Sequence, residues 1–414
     1  MKFKNIKYIG CGLITVLTVT ACSDVVNYSD SLEDVFASNG APVINAIYDV
    51  QDTASIPTPL TGGLLNEMLR ISGENLSYVK KVTFNGLDVD LRSIYAESKN
   101  SYLKVPRKIP QSVTDTLVYE TEKGIVTRYF PVSIPKMSVT GLRNEFAMKG
   151  DKVQVSGANF DLFGFNDTTA TSKATILITN VDSGYTQQIK TDSITEEYMG
   201  IAIPKKCPEN SLITFTWYEM GVKYTKTIPY KMTKDLMFGN FKGDLGWWND
   251  WGKGLVSDGT ASGAPASLGY NYLRVKGTFD SWSWNSTGFG LIWSFADASA
   301  NPSNYVVKFE VNTNSSYPFY NYGDNGASGA KNGGYDITLN GSKTLCQFDP
   351  VSSGLTNTYG KWVTVSMPLD QMCIDAVPVV GNWCSLEFVL QPNTADSWKI
   401  DHSFGQFRIE PKNY

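Results

Sequence analysis

Short runs of alternating apolar and polar residues, separated by Gly, Asn, Pro and Asp, recur throughout this chain of 414 residues. Clear examples lie at residues 103–106, 174–178 and 305–311. Side chains on a strand alternate between the two faces of a sheet, so such runs predict strands with one buried face. No long stretch carries a convincing helical period of 3.6 residues. The sequence therefore predicts an all-β fold built from several sandwiches.

Residues 41–231 contain an imperfect internal repeat. The first copy reads LRISGENL at 69–76, and the second reads VQVSGANF at 153–160. Each copy closes on a strand that ends in Ile-Pro, at 134–135 and 228–229. A strand, a Gly/Asn turn, a second strand and a proline-ended edge strand predict a small immunoglobulin-like sandwich. We expect two tandem sandwiches, at 41–135 and 136–231.

The motif series of the repeat resembles the IPT/TIG type of immunoglobulin-like domain. The match is looser in the second copy, where a polar insert at 161–172 replaces the tight turn. Both domains are interpreted as spacers, because proline at the junctions stiffens a rod. The alternative is a binding role for the second domain through Phe160, Phe163 and Phe165.

The composition shifts to Gly, Asn, Ser and Trp from Met232 onwards. Residues 232–414 are enough for one larger β-sandwich. Core-like alternation at 361–369, 386–390 and 398–409 predicts a jelly-roll sandwich of the carbohydrate-binding-module type.

The N-terminus has the pattern of a secretory signal. Lys2, Lys4 and Lys7 precede an apolar run at 8–20 that is too short to span a bilayer comfortably. The run ends in VTAC at 19–22, which resembles the lipobox of bacterial lipoproteins. The resemblance implies a signal peptide at 1–21, acylation of Cys22 and a tether at 22–40. An uncleaved short anchor is the alternative.

Charge and chemistry exclude several classes of function. The net charge is −4 and no basic stripe is present, so nucleic acid is a poor partner. His402 is the only histidine, and no nucleophile elbow, P-loop or dinucleotide motif occurs, so we expect no enzyme, metal or cofactor. Beyond the anchor, four cysteines remain. Cys373 and Cys384 could form a bridge, or all four could be isolated buried thiols.

Nine of the ten tryptophans follow Lys234. A pyranose ring stacks on an exposed indole while neighbouring amides and carboxylates bind its hydroxyls. Trp282 and Trp284 are two residues apart, which on a strand puts both on one face, and serines surround them. We predict that they form a sugar-binding platform. The further candidate ligand-binding residues are Trp247, Trp248, Trp251, Asn249, Asp280, Tyr272 and Tyr320, with Tyr270 and Tyr322 behind them.

The remaining tryptophans are assigned to the core or left open. Trp293, Trp362 and Trp398 lie in or at the start of core-like strands and are predicted to be structural. Trp383 follows a Gly-Asn pair and is compatible with either role.

Two other classes of function stay open. A glycoside hydrolase needs only two suitably spaced carboxylates, and Asp244, Asp250, Asp280 and Asp324 all lie among the aromatic residues. Acidic side chains beside tryptophan also bind sugar without reaction, which favours binding over hydrolysis. The other class is an adhesive or structural surface protein.

Taken in order, the lipobox, the IPT/TIG-like sandwiches and the Trp-rich domain resemble the surface glycan-binding proteins of Bacteroidetes polysaccharide utilisation loci. The closer resemblance is to the B type, whose C-terminal domain is named for xyloglucan binding. Its most specific motifs here are WGKG at 251–254, YLRVKG at 272–277, WSW at 282–284 and FRIEP at 407–411.

The resemblance implies a non-catalytic lipoprotein of the outer membrane, facing the cell exterior, that captures a β-linked polysaccharide. A β-glucan or xyloglucan is the first expectation, with β-mannan or xylan behind it. The implied partners are a TonB-dependent transporter, its lipoprotein lid and surface glycoside hydrolases.

Overall fold

The computed structural model describes residues 35–165, 173–241, 248–249, 254–319, 324–326, 334–393 and 397–414. It divides into two compact units, Met1–Lys136 and Met137–Tyr414. Strand makes up 47% of the chain and helix 7%, which confirms the prediction of an all-β fold. The finer division into a tether and three domains at residues 41, 136 and 232 remains a prediction.

The first unit contains a sandwich of two four-stranded sheets, in the orders β1-β3-β7-β6 and β5-β4-β8-β9, with a small parallel pair β10-β2. Its strands are β1 Val43–Asp49, β2 Gly63–Leu64, β3 Met68–Glu74, β4 Val79–Phe84, β5 Leu87–Asp88, β6 Tyr95–Ala96, β7 Asn100–Lys104, β8 Thr116–Thr121, β9 Gly124–Tyr129 and β10 Val132–Ser133. Alternate residues of β3, β4 and β8 fill the core between the sheets.

The second unit begins with another sandwich, in the orders β11-β12-β16-β15 and β14-β13-β17-β18. Its strands are β11 Ser138–Leu142, β12 Lys152–Ala158, β13 Thr175–Asn180, β14 Tyr185–Ile189, β15 Thr191–Ile194, β16 Tyr198–Ala202, β17 Ser211–Glu219 and β18 Val222–Tyr230. With β2 and β10 set aside, the two sandwiches have the same strand order. The repeat seen in the sequence is therefore a repeat of topology.

The shared Ser-Gly-x-Asn motif has a physical cause. A side chain on Gly73 or on Gly157 would overlap a backbone carbonyl oxygen of the neighbouring strand, so only glycine fits at these positions. Two residues later, Asn75 and Asn159 adopt the left-handed conformation, with φ of 58° and 62°. Asparagine tolerates that region better than most residues. Strands β3 and β12 thus end with the same close approach to a neighbouring strand and the same turn.

A larger sandwich follows, with two five-stranded sheets in the orders β19-β22-β28-β25-β26 and β20-β21-β30-β23-β27 and a short ladder β24-β29. Its strands are β19 Trp248–Asn249, β20 Gly254–Ser257, β21 Tyr272–Phe279, β22 Asn285–Ile292, β23 Tyr305–Thr313, β24 Asp324–Asn325, β25 Tyr335–Leu339, β26 Cys346–Phe348, β27 Val363–Pro368, β28 Trp383–Leu390, β29 Pro392–Asn393 and β30 Trp398–Pro411. The centre is aromatic: Phe309 lies 5.3 Å from Phe407 between ring centroids, and Phe388 lies 5.2 Å from Phe404.

Short helices account for the rest of the regular structure. The α-helices described here are α1 Ala296–Ala300 and α2 Leu369–Met372, and the 3-10 helices are Leu91–Ser93, Phe160–Leu162, Thr233–Asp235 and Pro302–Asn304. Among the described residues, no helix has the length and apolar character needed to cross a membrane.

Five charged residues, the Arg408 cluster, join the second sandwich to the larger one. Arg408 is fully buried and donates to Glu145, Glu310 and Glu410, each at 2.7 Å. Lys308 bridges Glu145 and Glu410, at 2.7 and 3.0 Å. Glu145 lies between β11 and β12, whereas the other four members lie on β23 and β30. The cluster therefore fixes the position of one sandwich on the other.

Two further sequence predictions can be compared with the structure. The four cysteines beyond the anchor are free thiols and all are buried, which agrees with the alternative of isolated thiols. The aromatic residues proposed for binding in the second sandwich, Phe160, Phe163 and Phe165, are buried in its core. They offer no surface to a ligand.

Candidate functional site

Two half-exposed indoles mark one end of the larger sandwich. Trp282 is 59% exposed and Trp284 is 55% exposed. Both lie in residues 280–284, the connection between β21 and β22. The prediction of exposure is correct, but the prediction that they share a strand face is wrong. Ser283 donates its N–H to the carbonyl oxygen of Asp280 at 3.1 Å, so the chain reverses here instead of continuing as a strand.

The backbone holds Trp282 in a strained conformation. Its φ is 61°, a left-handed value that costs an aromatic residue about 1–2 kcal/mol. Its N–H donates to the carbonyl oxygen of Pro392 at 2.7 Å, which ties the turn to β29. Such strain at an exposed residue is typical of a functional site.

A glycine gives the Trp282 ring its place. A methyl group on Gly326 would lie 3.0 Å from Cζ3 of Trp282 and 3.1 Å from Oε1 of Gln391. The N–H of Gly326 donates to the carbonyl oxygen of Gln391 at 2.7 Å, beside the β24-β29 ladder. The indole thus stands against a hydrogen-bonded segment of backbone.

Polar groups surround the two indoles. Asn285 is buried, and its Nδ2 donates to the carbonyl oxygens of Ser283 and Leu390 at 2.8 and 3.0 Å. Its side chain therefore ties the turn to β28. Asp280 and Asn393 are exposed and Gln391 is half-buried. We name the surface formed by Trp282, Trp284 and Asp280 the tryptophan platform.

Several predicted site residues lie outside the described part of the chain. These are Trp247, Trp251, Tyr320 and Tyr322, with the candidate acids Asp244 and Asp250. Trp248 and Asn249 form β19, opposite Gly288 and Thr287 of β22. The backbone of this strand therefore lies at the sheet edge beside β22, which begins directly after Trp284.

The assignment of Tyr272 to the site is wrong. Its side chain is fully buried, its hydroxyl donates to the carbonyl oxygen of Pro265 at 2.6 Å, and its ring packs edge-on against Trp362 at 5.0 Å. Tyr270 also serves the junction between the sandwiches, since its hydroxyl donates to Glu209 and its ring contacts Phe146. The sequence placed both tyrosines near a Gly/Asn/Ser-rich loop but gave no sign of the sandwich that covers them.

The tryptophans predicted to be structural are buried as expected: Trp293, Trp362 and Trp398. Trp383, which the sequence left open, is 52% exposed.

Two titratable groups of the larger sandwich, His402 and Asp336, are buried and have shifted pKa values. His402 is fully buried, and burial lowers its pKa to about 4. Its Nε2 lies 2.9 Å from the carbonyl oxygen of Tyr317, which requires the proton there, so Nδ1 accepts from the hydroxyl of Tyr335 at 2.8 Å. Burial raises the pKa of Asp336 to about 7, but this carboxyl group is inaccessible too.

The fold and the platform together define a β-sandwich with an exposed aromatic surface suited to carbohydrate. Residues 230–411 match the family model of the surface glycan-binding protein B xyloglucan binding domain. The match covers the larger sandwich, and it agrees with the predicted resemblance to surface glycan-binding proteins of the B type.

Solved structures of similar proteins include surface glycan-binding protein B of Prevotella bryantii, with 17% identity, a TM-score of 0.49 and coverage of 91% of this chain and 100% of that one. A protein from a complex xyloglucan utilisation locus of Bacteroides uniformis has 16% identity, a TM-score of 0.46 and coverage of 90% and 99%. A protein of the Bacteroides ovatus mixed-linkage glucan utilisation locus has 10% identity, a TM-score of 0.25 and coverage of 86% and 75%. No curated protein sequence matches the chain.

Proposed function

We propose that this protein is a non-catalytic surface lipoprotein that captures a β-linked polysaccharide on its tryptophan platform. The observation that carries the proposal is the pair Trp282 and Trp284, both about half exposed on a turn that the backbone fixes, in a domain of a glycan-binding family. Leaving two indoles in water is costly, and stacking on the flat C–H face of a sugar offsets that cost.

A β-glucan or xyloglucan is the ligand we propose first. The family is named for xyloglucan binding, and an extended β-linked chain presents flat faces to closely spaced indoles. The proposed alternatives are β-mannan and xylan. Asp280 and Asn393 would bind hydroxyl groups at the edge of the stacked ring, and Trp247, Trp248, Trp251, Asn249 and Tyr320 would extend the site.

The proposed location is the outer membrane, with the lipid chains on Cys22 and the protein facing the cell exterior. A TonB-dependent transporter, its lipoprotein lid and surface glycoside hydrolases are the proposed partners. Replacing Cys22→Ala should move the protein from the membrane fraction to the soluble fraction and abolish its labelling with radioactive palmitate. Retention of both label and membrane location would contradict the lipid anchor.

The experiment for the binding function is affinity gel electrophoresis through soluble β-glycans, with the double variant Trp282→Ala/Trp284→Ala. We expect one class of glycan to retard the wild-type protein strongly and the double variant much less. Tyr129→Ala is the matched control, because Tyr129 is an aromatic residue of the first unit that is at least as exposed, at 70%. It should leave retardation unchanged.

Two other outcomes would decide between the alternatives. An adhesive protein predicts no retardation by any glycan. A glycoside hydrolase predicts release of short sugars over hours, with loss of that release in Asp280→Asn.

A further inference from the structure

A third exposed indole lies at the other end of the same sheet. Trp383 is the first residue of β28 and pairs with Ile292, the last residue of β22. The Trp282–Trp284 turn precedes the first residue of β22, Asn285, which pairs with Leu390. Since β22 has 8 residues, the two ends lie about 24 Å apart along the strand.

The Trp383 ring lies over the backbone of β22 at Gly290. A methyl group on Gly290 would overlap three atoms of its six-membered ring, so the indole rests directly on the backbone of β22. Gly290 does not have a positive φ, and glycine is therefore required by this contact and not by the backbone conformation. The ring leans diagonally across the strand pair, a contact within reach of a long aromatic side chain. The strand supports the ring, and 52% of Trp383 remains exposed to solvent.

The backbone on both sides of Trp383 is fixed. Asn382 donates its N–H to the carbonyl oxygen of Val379 at 3.0 Å, which closes a turn, and Gly381 within it has a φ of 83°. Trp293 exchanges two hydrogen bonds of 2.9 Å with the backbone of Gly381 and Asn382. The indole is thus held in place before any ligand arrives, which lowers the entropic cost of binding.

Polar groups border the ring on the same face. Burial alternates over the first six residues of β28, so Ser385 and Glu387 lie on the outer face with Trp383. Ser385 lies opposite Gly290, and Asn382, which directly precedes Trp383, is exposed. Ile292, 61% exposed, extends the apolar surface. An exposed indole that shares its strand face with a hydroxyl and a carboxylate suits a pyranose ring.

We propose that Trp383 is a second glycan-binding platform, which takes a β-linked polysaccharide chain independently of Trp282 and Trp284. This inference rests on the proposed function and extends it. The tryptophan platform directly precedes β22 and Trp383 lies opposite its last residue, so the sheet sets their separation. A long polysaccharide can therefore engage both at once, and the second contact benefits from a high effective concentration.

The test is isothermal titration of the full mature protein with cellohexaose and with a xylogluco-oligosaccharide. We expect two binding events per molecule in the wild type and one in Trp383→Ala. The double variant Trp282→Ala/Trp284→Ala should also retain one. For long xyloglucan or β-glucan, Trp383→Ala should weaken apparent affinity about tenfold or more, since avidity is lost. Tyr129→Ala should change none of these values.

A second variant keeps the indole and displaces it. Gly290→Val puts a side chain where the ring lies, so it should lower the number of binding events from two to one although Trp383 is still present. Labelling with 5-fluorotryptophan gives a direct readout: the 19F resonance that Trp383→Phe removes should shift on addition of the oligosaccharide that binds.

The outcomes separate the two proposals. A single binding event in the wild type, unchanged in Trp383→Ala, would overturn the second platform and leave the proposed function standing. No binding of any glycan by the wild type would overturn both. Loss of self-association in Trp383→Ala, measured by analytical ultracentrifugation with unchanged glycan binding, would identify the surface as a protein contact and also overturn the second platform.

Discussion

The Arg408 cluster and the tryptophan platform each hold side chains in an unfavourable environment, but the two environments are opposite. The cluster buries four charged residues together with most of Lys308, and ion pairs of 2.7–3.0 Å offset their loss of water. The platform leaves two indoles half in water, on a turn that is held by its own Ser283–Asp280 hydrogen bond and by the hydrogen bond from Trp282 to Pro392 of β29. A buried ion pair becomes strongly destabilising once one partner is removed, whereas an exposed indole contributes little to folding. Substitutions in the cluster should therefore lower the stability, and substitutions in the platform should lower the affinity for ligand.

The largest expected effect lies at the cluster. Arg408→Met leaves Glu145, Glu310 and Glu410 buried without their main partner and should destabilise the second unit by about 3–5 kcal/mol. All ten tryptophans lie in that unit, so tryptophan fluorescence during urea unfolding reports on it.

Two controls sharpen this prediction. Lys152→Ala removes an exposed ion pair with Asp192 and should leave the unfolding midpoint unchanged. Arg408→Met/Glu310→Met removes an unpaired carboxylate as well and should recover part of the loss. A midpoint in Arg408→Met equal to that of the wild type would show that the cluster does not hold the sandwiches together.

The next largest effect is the pH dependence of the unfolding free energy, which His402 controls. Its pKa is about 4 in the folded protein, lowered by burial from an ordinary value of 6.5, so the unfolded chain binds a proton that the folded protein does not. The stability is complete above pH 6.5 and falls as the pH drops towards 4, by about 3 kcal/mol in total.

The matched variant is His402→Gln, whose amide can donate to the carbonyl oxygen of Tyr317 but does not titrate. The difference in unfolding free energy between wild type and variant, measured by urea at several pH values, cancels other buried groups such as Asp336. It should shrink by about 3 kcal/mol from pH 6.5 to 4. A constant difference would mean that His402 is not buried as a neutral ring.

At the platform, Trp282→Ala or Trp284→Ala should cost about 1–3 kcal/mol of binding free energy each, by analogy with the stacking of bases on aromatic side chains. Since both side chains are half exposed, the free energy of unfolding in urea should change by less than about 1 kcal/mol. Isothermal titration with the glycan that retards the protein measures the loss of binding free energy. Loss of stability comparable to that of Arg408→Met would erase the distinction between the two regions.

The smallest effect is expected from Gly326→Ala. The added methyl would lie 3.0 Å from the Trp282 ring, which forces the indole to shift at a cost of about 1 kcal/mol. Affinity should fall about fivefold with little change in stability. Gly141→Ala is the control, because its methyl would meet only a 3.7 Å contact with Glu145 at the junction. Equal affinity in both variants would mean that Gly326 does not position the ring.

The sequence predicts those features of the fold and the site that depend on local pattern. The alternation in β23 and β30 and the repeated Ser-Gly-x-Asn motif indicate the sandwiches, and the serines around Trp282 and Trp284 indicate exposure. The turn at 280–284 was missed because Trp-Ser-Trp has the period of a strand, and the hydrogen bond to Pro392 that bends it comes from 110 residues away. Arg408 and Glu145, 263 residues apart, meet only through the packing of two sandwiches. The burial of Tyr272 has the same origin.

The most direct measurement of the central claim is a crystal structure of the mature protein with the glycan that retards it in the affinity gel. We predict a sugar ring parallel to the indole of Trp282 or Trp284, about 4 Å away. An ordered glycan bound elsewhere, with both indoles free of sugar, would contradict the claim that the tryptophan platform captures the polysaccharide.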